Sequence, residues 1–438
     1  MTKSDNITNQ TIWHLAGPMI LANISIPLLG MVDTAVVGHL DSAHYLGGVA
    51  IGGLIFSFLF WGFGFLRMAT TGLTAQSQGG NNDKLTLKIL QNSLLLASVI
   101  TVGILILQIP ISQLAFYLID SSEQVTSAAR TYFDIRIWST PAILINYVIL
   151  GWLIGRGATK QALFLVLAVT ISNMVLDIIF VNYLGMDVDG VALASVIAEY
   201  IGLIVGLRIL IHHGIGRDIF IRDPVTHRLH TQNWLQLHGN IFIRTLCLIF
   251  SFAFFTTQGA KQGDIILAAN AVLINFIIFM AFVLDGFANA IEVITGKAIG
   301  SKNRQQLKQG FKLSTMWAFS LACIFSVIYF LFGSDIIGLL TTIPEVVDIA
   351  NDYLIWLIVI PVIAVWTYLF DGFFIGATRS VEMRNTMLFS TLFCYLPAWY
   401  LLQPLKNDGL WLALLIFLAA RGISQSFYLS KILQMAPK

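Results

Sequence analysis

A chain of 438 residues in which 57 % are hydrophobic and only 11 % charged is not a water-soluble domain, where roughly a quarter of the residues carry charge. The 25 Lys and Arg nearly balance the 23 Asp and Glu, so no strongly basic or acidic surface is available to follow a polyanion. Most of this chain must be solvated by lipid.

Taken in order, twelve stretches approach or exceed the roughly 20 residues that a helix needs to cross the hydrocarbon core. They run from about 11 to 38, 45 to 76, 86 to 109, 124 to 154, 161 to 183, 190 to 211, 234 to 258, 265 to 297, 310 to 333, 346 to 376, 383 to 404 and 410 to 432. The polar start MTKSDNITNQ runs into a span too long for a signal-peptide core and lacks a small-residue cleavage site, so no removable targeting segment is expected.

The span from Gly38 to Tyr132 repeats without a gap 221 positions later. Gly38/Gly259, Ala69/Ala290, Gly79/Gly300, Asn82/Asn303, Ala129/Ala350 and Tyr132/Tyr353 keep that offset, and Gly151 to Gly155 matches Gly372 to Gly376. The expected fold is therefore an all-α integral membrane protein whose twelve transmembrane helices form two pseudo-two-fold related six-helix lobes. The lobes are expected at 1–213 and 234–438, joined by a cytoplasmic linker at 214–233 that carries Gly214, Gly216, Pro224 and mixed charge. With both termini inside, the loop cations fall on the cytoplasmic side except Lys261 and Lys406, as the positive-inside rule requires. One missed helix would reverse that split, which supports the even count.

Enzyme chemistry lacks its usual signatures: there is no Walker loop, GxSxG, nucleotide fingerprint or HExxH. Cys247, Cys323 and Cys394 sit within spans and have neither pairing nor metal-ligand spacing. No enzyme, cofactor or structural metal is expected.

The intramembrane polar residues carry the functional signal, because each costs several kcal/mol to insert. Asp33 lies about 9 Å from the outer end of the first span, at ~1.5 Å per residue. Asp177 in the fifth span and Ser195 in the sixth fall at a similar depth, and Asn173 is one helical turn from Asp177 on the same face. Two carboxylates, an amide and a hydroxyl can ligate Na⁺ or share protons; they could also simply hold helices together by hydrogen bonds. At offset 221 the partners of Asp33, Asn173 and Asp177 are Phe254, Cys394 and Ala398, so the second copy has no equivalent set. Pro27 is either a hinge that answers the charge on Asp33 or a static kink. Asp285, Glu292 and Asp371 are expected to pair with Arg244 and Arg421, and Arg136 with Asp134 or Glu199. Asn146, Arg244, Asp371 and Arg421 are also candidate substrate contacts, in a cleft between the lobes or in a first-lobe cavity.

The combination of GMVDTAVVGHL in the first span, SNMVLDIIF in the fifth and FDGFFIGATRSVEMRN after the tenth resembles the multidrug and toxic compound extrusion family, and the last segment is similar to its DinF-type branch. The resemblance covers nearly the whole chain. It implies antiport of varied organic compounds out of the cytoplasm, driven by inward H⁺ or Na⁺, with a first-lobe cation site at Asp33, Asn173, Asp177 and Ser195. Relatives often place Thr where this chain has Ser195, which keeps the hydroxyl. Branches that bind the cation in the second lobe use an acid in span seven, and IFSFAFFTTQG has none. The expected activity is H⁺-coupled or Na⁺-coupled drug export across a bacterial cytoplasmic membrane by a monomer with lipid and small organic molecules, and no nucleic acid, as partners. The rival is a flippase of lipid-linked saccharides, for which Arg244 and Arg421 would be pyrophosphate ligands.

Overall fold

The computed structural model describes residues 6–37, 43–119, 121–216 and 231–435. Every expected span has a helical counterpart. The first copy supplies α1 (Asn9–Val37), α2 (His44–Gly79), α3 (Asp83–Ile106), α4 (Glu123–Arg156), α5 (Thr159–Tyr183) and α6 (Val188–His212). The second supplies α7 (Thr231–Ala260), α8 (Asp264–Gly300), α9 (Arg304–Leu340) and α10 (Leu354–Gly376). Helix α11 runs through Ser380–Phe389, a π-helical Ser390–Tyr395 and Leu396–Leu402, and α12 is Lys406–Ser426. A 3₁₀ turn, Gln403–Leu405, joins the last two with almost no break.

Side chains sort as lipid demands. Leu95, Val99, Val102 and Ile106 make an exposed apolar stripe on α3, and Ile204, Leu207 and Ile211 another on α6. The spacing of three and four residues keeps each stripe on one face. Small and polar residues turn inward, where backbone and hydroxyl groups find partners that hydrocarbon cannot supply.

The duplication is repeated contact by contact. A Cβ on Gly151 would collide with the carbonyl oxygen of Arg67, and one on Gly372 with that of Ala288, the residue 221 positions on. Gly155 lies against Thr71 and Thr74, and Gly376 against their equivalents Glu292 and Thr295. Helix α4 ends with Ala158 N–H donating to Leu153 O at 2.9 Å, and α10 with Arg379 N–H donating to Phe374 O at 2.9 Å. The side chains of Asn82 and Asn303 cap α3 and α9 through the N–H groups of Leu85 and Gln306, each at 3.0 Å. These paired glycines permit close helix approach, the main source of cohesion between helices in lipid.

The described residues form two compact units. One is built from Leu21–Thr74 and Asn82–Arg228, the other from Met1–Ile20, Ala75–Asn81 and Leu229–Lys438. The start of α1 and the C-terminal end of α2 thus group with the second copy. The reason at α2 is sterically plain: Ala75 and Gly79 face Gly296 and Gly300 of α8, two small-xxx-small pairs that let backbones touch. Gly79 meets the backbone of Lys297 while Gly300 meets that of Gln76, a reciprocal contact between positions 221 apart. Helix α1 passes from one unit to the other between Ile20 and Leu21, flanked by Pro18 and Pro27, and stays helical through both. Most of the expected linker, residues 217–230, lies outside the described residues.

Candidate functional site

In the first unit, α5 and α6 bring Asn173, Asp177 and Ser195 inside. Asp177 is fully enclosed, and Asn173 and Ser195 expose 2 % and 4 % of their surface. Asn173 Nδ2 donates to Ser195 Oγ at 3.1 Å, so the amide expected one helical turn from Asp177 meets the hydroxyl of α6. Asp177 ends the α-helical part of α5, and the next six residues, Ile178–Tyr183, are π-helical. Such an insertion widens the turn and is frequent beside functional groups. The Asp33 backbone belongs to α1, but its side chain lies outside the described residues.

The residue whose role the sequence left open is Arg136. Its Nη1 donates to Ser195 Oγ at 2.6 Å and to Tyr132 Oη at 2.6 Å, and its guanidinium lies over the rings of Phe56 and Tyr132, 5.7 and 5.5 Å from their centroids. It also interacts electrostatically with Glu199, one turn after Ser195 on α6. Asn146, a candidate substrate contact, is buried on α4 and donates to the Glu199 backbone oxygen at 3.0 Å and to its carboxylate at 3.1 Å. Asn173, Ser195 and Arg136 thus form one hydrogen-bonded chain across α5, α6 and α4.

The second unit holds a different cluster. Asp371 on α10 accepts a bond from Arg244 on α7, another from Arg421 Nη2 on α12 at 2.8 Å, and a third from Gln425 Nε2 at 2.9 Å. All four side chains are buried. The expected acid and arginine pairing is thus present at Asp371, and the candidate substrate contacts Arg244, Asp371 and Arg421 are bound to one another.

Together these features describe a duplicated helical membrane transporter with buried polar clusters inside each unit. The MatE family profile matches residues 18–179 and again residues 241–401, once per copy. DNA damage-inducible protein F of Escherichia coli (strain K12) is 44 % identical over 433 residues, covering 97 % of this chain and 92 % of that protein. The multidrug resistance protein NorM of Vibrio cholerae is 25 % identical over 439 residues, covering 93 % of this chain and 92 % of NorM. Among solved structures, a multidrug resistance MATE family transporter in an outward-facing conformation superposes with a TM-score of 0.89 at 20 % identity, covering 98 % of this chain and 97 % of that one. The chain belongs to the MatE family.

Proposed function

We propose that this chain, a multidrug antiporter by family, is driven by inward movement of H⁺ through a site formed by Asp33, Asn173, Asp177 and Ser195, with the proton carried by the carboxyl groups of Asp33 and Asp177. The observation that carries the reading is the enclosed Asn173–Ser195 pair beside Asp177, whose equivalents in the second copy are apolar or sulfur side chains. A carboxylic acid in such a setting exists for a reason other than packing, since an intramembrane acid must repay its insertion cost. A carboxylate open to each side of the membrane in turn takes a proton from outside and releases it inside. Protonation at Asp33 lets α1 bend at Pro27, within two turns of it, and the first-unit cavity contracts on the drug.

The moving bodies are the two halves of the chain, 1–213 and 234–438, joined by the cytoplasmic stretch 214–233. The chain sits in a bacterial cytoplasmic membrane with both termini inside and works as a monomer. The flippase alternative loses support, because Arg244 and Arg421, the cations it leaned on, both donate to Asp371. The deciding experiment is efflux of a fluorescent organic cation from proteoliposomes under a pH gradient alone, without Na⁺. Export at full rate is expected; export that demands a Na⁺ gradient and ignores pH would overturn H⁺ coupling.

A further inference from the structure

We infer that Arg136 is a built-in cation that reserves the first-unit site for the proton and keeps Na⁺ out, an inference that rests on the coupling site proposed above. The argument begins at Ser195 Oγ. A hydroxyl oxygen has two acceptor positions, and here one receives Arg136 Nη1 at 2.6 Å and the other Asn173 Nδ2 at 3.1 Å. An alkali cation must be ligated by oxygen lone pairs, and this oxygen has none left to give. To use it, Na⁺ would have to expel a guanidinium and then remain close to its positive charge.

The guanidinium is not free to leave. The same Nη1 donates to Tyr132 Oη, and the planar group lies over Phe56 and Tyr132. Several contacts on a rigid planar donor fix its position better than one ion pair would. Its charge is in turn felt by Glu199, whose carboxylate is held by Asn146. A proton differs from Na⁺ in the one respect that matters: it needs a single carboxylate lone pair and no coordination shell. It can load at an acid without displacing Arg136.

The duplication supports the assignment independently. The residue 221 positions after Arg136 is Leu357, fully buried on α10. Arg136 is therefore confined to the copy that holds Asn173 and Asp177, whose equivalents are Cys394 and Ala398. A guanidinium needed for the common scaffold would be expected in both copies.

The test uses purified full-length protein at fixed pH and ionic strength, with thermal unfolding followed while NaCl replaces choline chloride. Wild type should show no saturable Na⁺-specific shift. Arg136→Gln, folded in choline, should acquire a saturable Na⁺ stabilisation that disappears in the Arg136→Gln/Asp177→Asn double variant. Arg136→Lys, which keeps the charge, should stay insensitive to Na⁺. Saturable Na⁺ stabilisation of wild type that Asp177→Asn removes would overturn the proposal, whether or not any Arg136 variant folds. So would a folded Arg136→Gln that ignores Na⁺. Failure of the underlying coupling site has a separate signature, unimpaired pH-driven export by Asp33→Asn and Asp177→Asn.

Discussion

The two units share a scaffold to within single glycine contacts, yet they hold different charged clusters. In the first, Asp177, Asn173, Ser195 and Arg136 join α4, α5 and α6, and the strongest interaction shown is a guanidinium on a hydroxyl. In the second, Asp371 is clamped by Arg244, Arg421 and Gln425 from α7 and α12. The duplicated frame thus carries a different charged cluster in each copy, the first proposed to serve coupling and the second bound into a buried ion-pair network.

The same substitution in both units should break this comparison most visibly if it is wrong. Asp371→Asn leaves two buried guanidiniums without a counter-charge, a loss of about 3–5 kcal/mol by analogy with other broken buried pairs. We expect poor yield of monodisperse protein and a clearly lowered unfolding temperature. Asp177→Asn keeps the shape and removes only the titratable group. It should insert and unfold near the wild-type temperature while losing pH-driven export. Thermal unfolding and vesicle efflux on both variants decide the matter, and the reverse outcome, a stable Asp371→Asn and a collapsed Asp177→Asn, would exchange the roles assigned to the two clusters.

Much of this frame was legible in the sequence because it is one-dimensional. A constant offset of 221 survives into space as paired glycine contacts, and helical spacing alone puts Asn173 over Asp177. The pairing of Asp371 with arginines followed from charge cost without knowing the fold. Arg136 was harder, since an intramembrane arginine near Asp134 and Glu199 has acids enough to satisfy it; only the packing of α4 on α6 shows that it reaches Ser195. The turn that divides α2, where Phe63 N–H donates to Phe60 O and Gly64 N–H to Trp61 O, was hidden inside an unbroken apolar run. Hydropathy does not register a change of hydrogen-bond pattern, and for the same reason it missed the π-helical turns at Ile178–Tyr183 and Ser390–Tyr395. The transfer of Ala75–Asn81 to the second unit depends on which glycine faces meet, which no single sequence displays.

The shared scaffold makes its own prediction, of smaller size. Gly151→Ala and Gly372→Ala each push a methyl group into a backbone carbonyl of the facing helix, Arg67 in one unit and Ala288 in the other. Overpacking of this kind costs about 1–3 kcal/mol. Because the contacts are equivalent, the two variants should lower the unfolding temperature to a similar extent. A large loss at one glycine and none at the other would show that the scaffold has diverged along with the polar clusters.

The smallest effect is the cleanest test of equivalence, because it touches no buried group. Asn82 and Asn303 each accept the N–H three residues ahead, at 3.0 Å, and so satisfy one of the donors that a helix start leaves open. Each follows a residue at positive φ, Asn81 at 51° and Lys302 at 55°, so even the entry angle of the chain is repeated. Asn82→Ala and Asn303→Ala should cost about 1 kcal/mol apiece, the usual worth of such a cap. The two caps serve different helices, α3 and α9, so the double variant should lose about the sum of the two. Denaturant or thermal unfolding of the three proteins reads this directly. Unequal single losses would mean that the two units unfold separately and that the observed transition reports only the weaker one. Equal and additive losses, alongside opposite behaviour of Asp177→Asn and Asp371→Asn, would establish that the units differ in their charges and not in their frames.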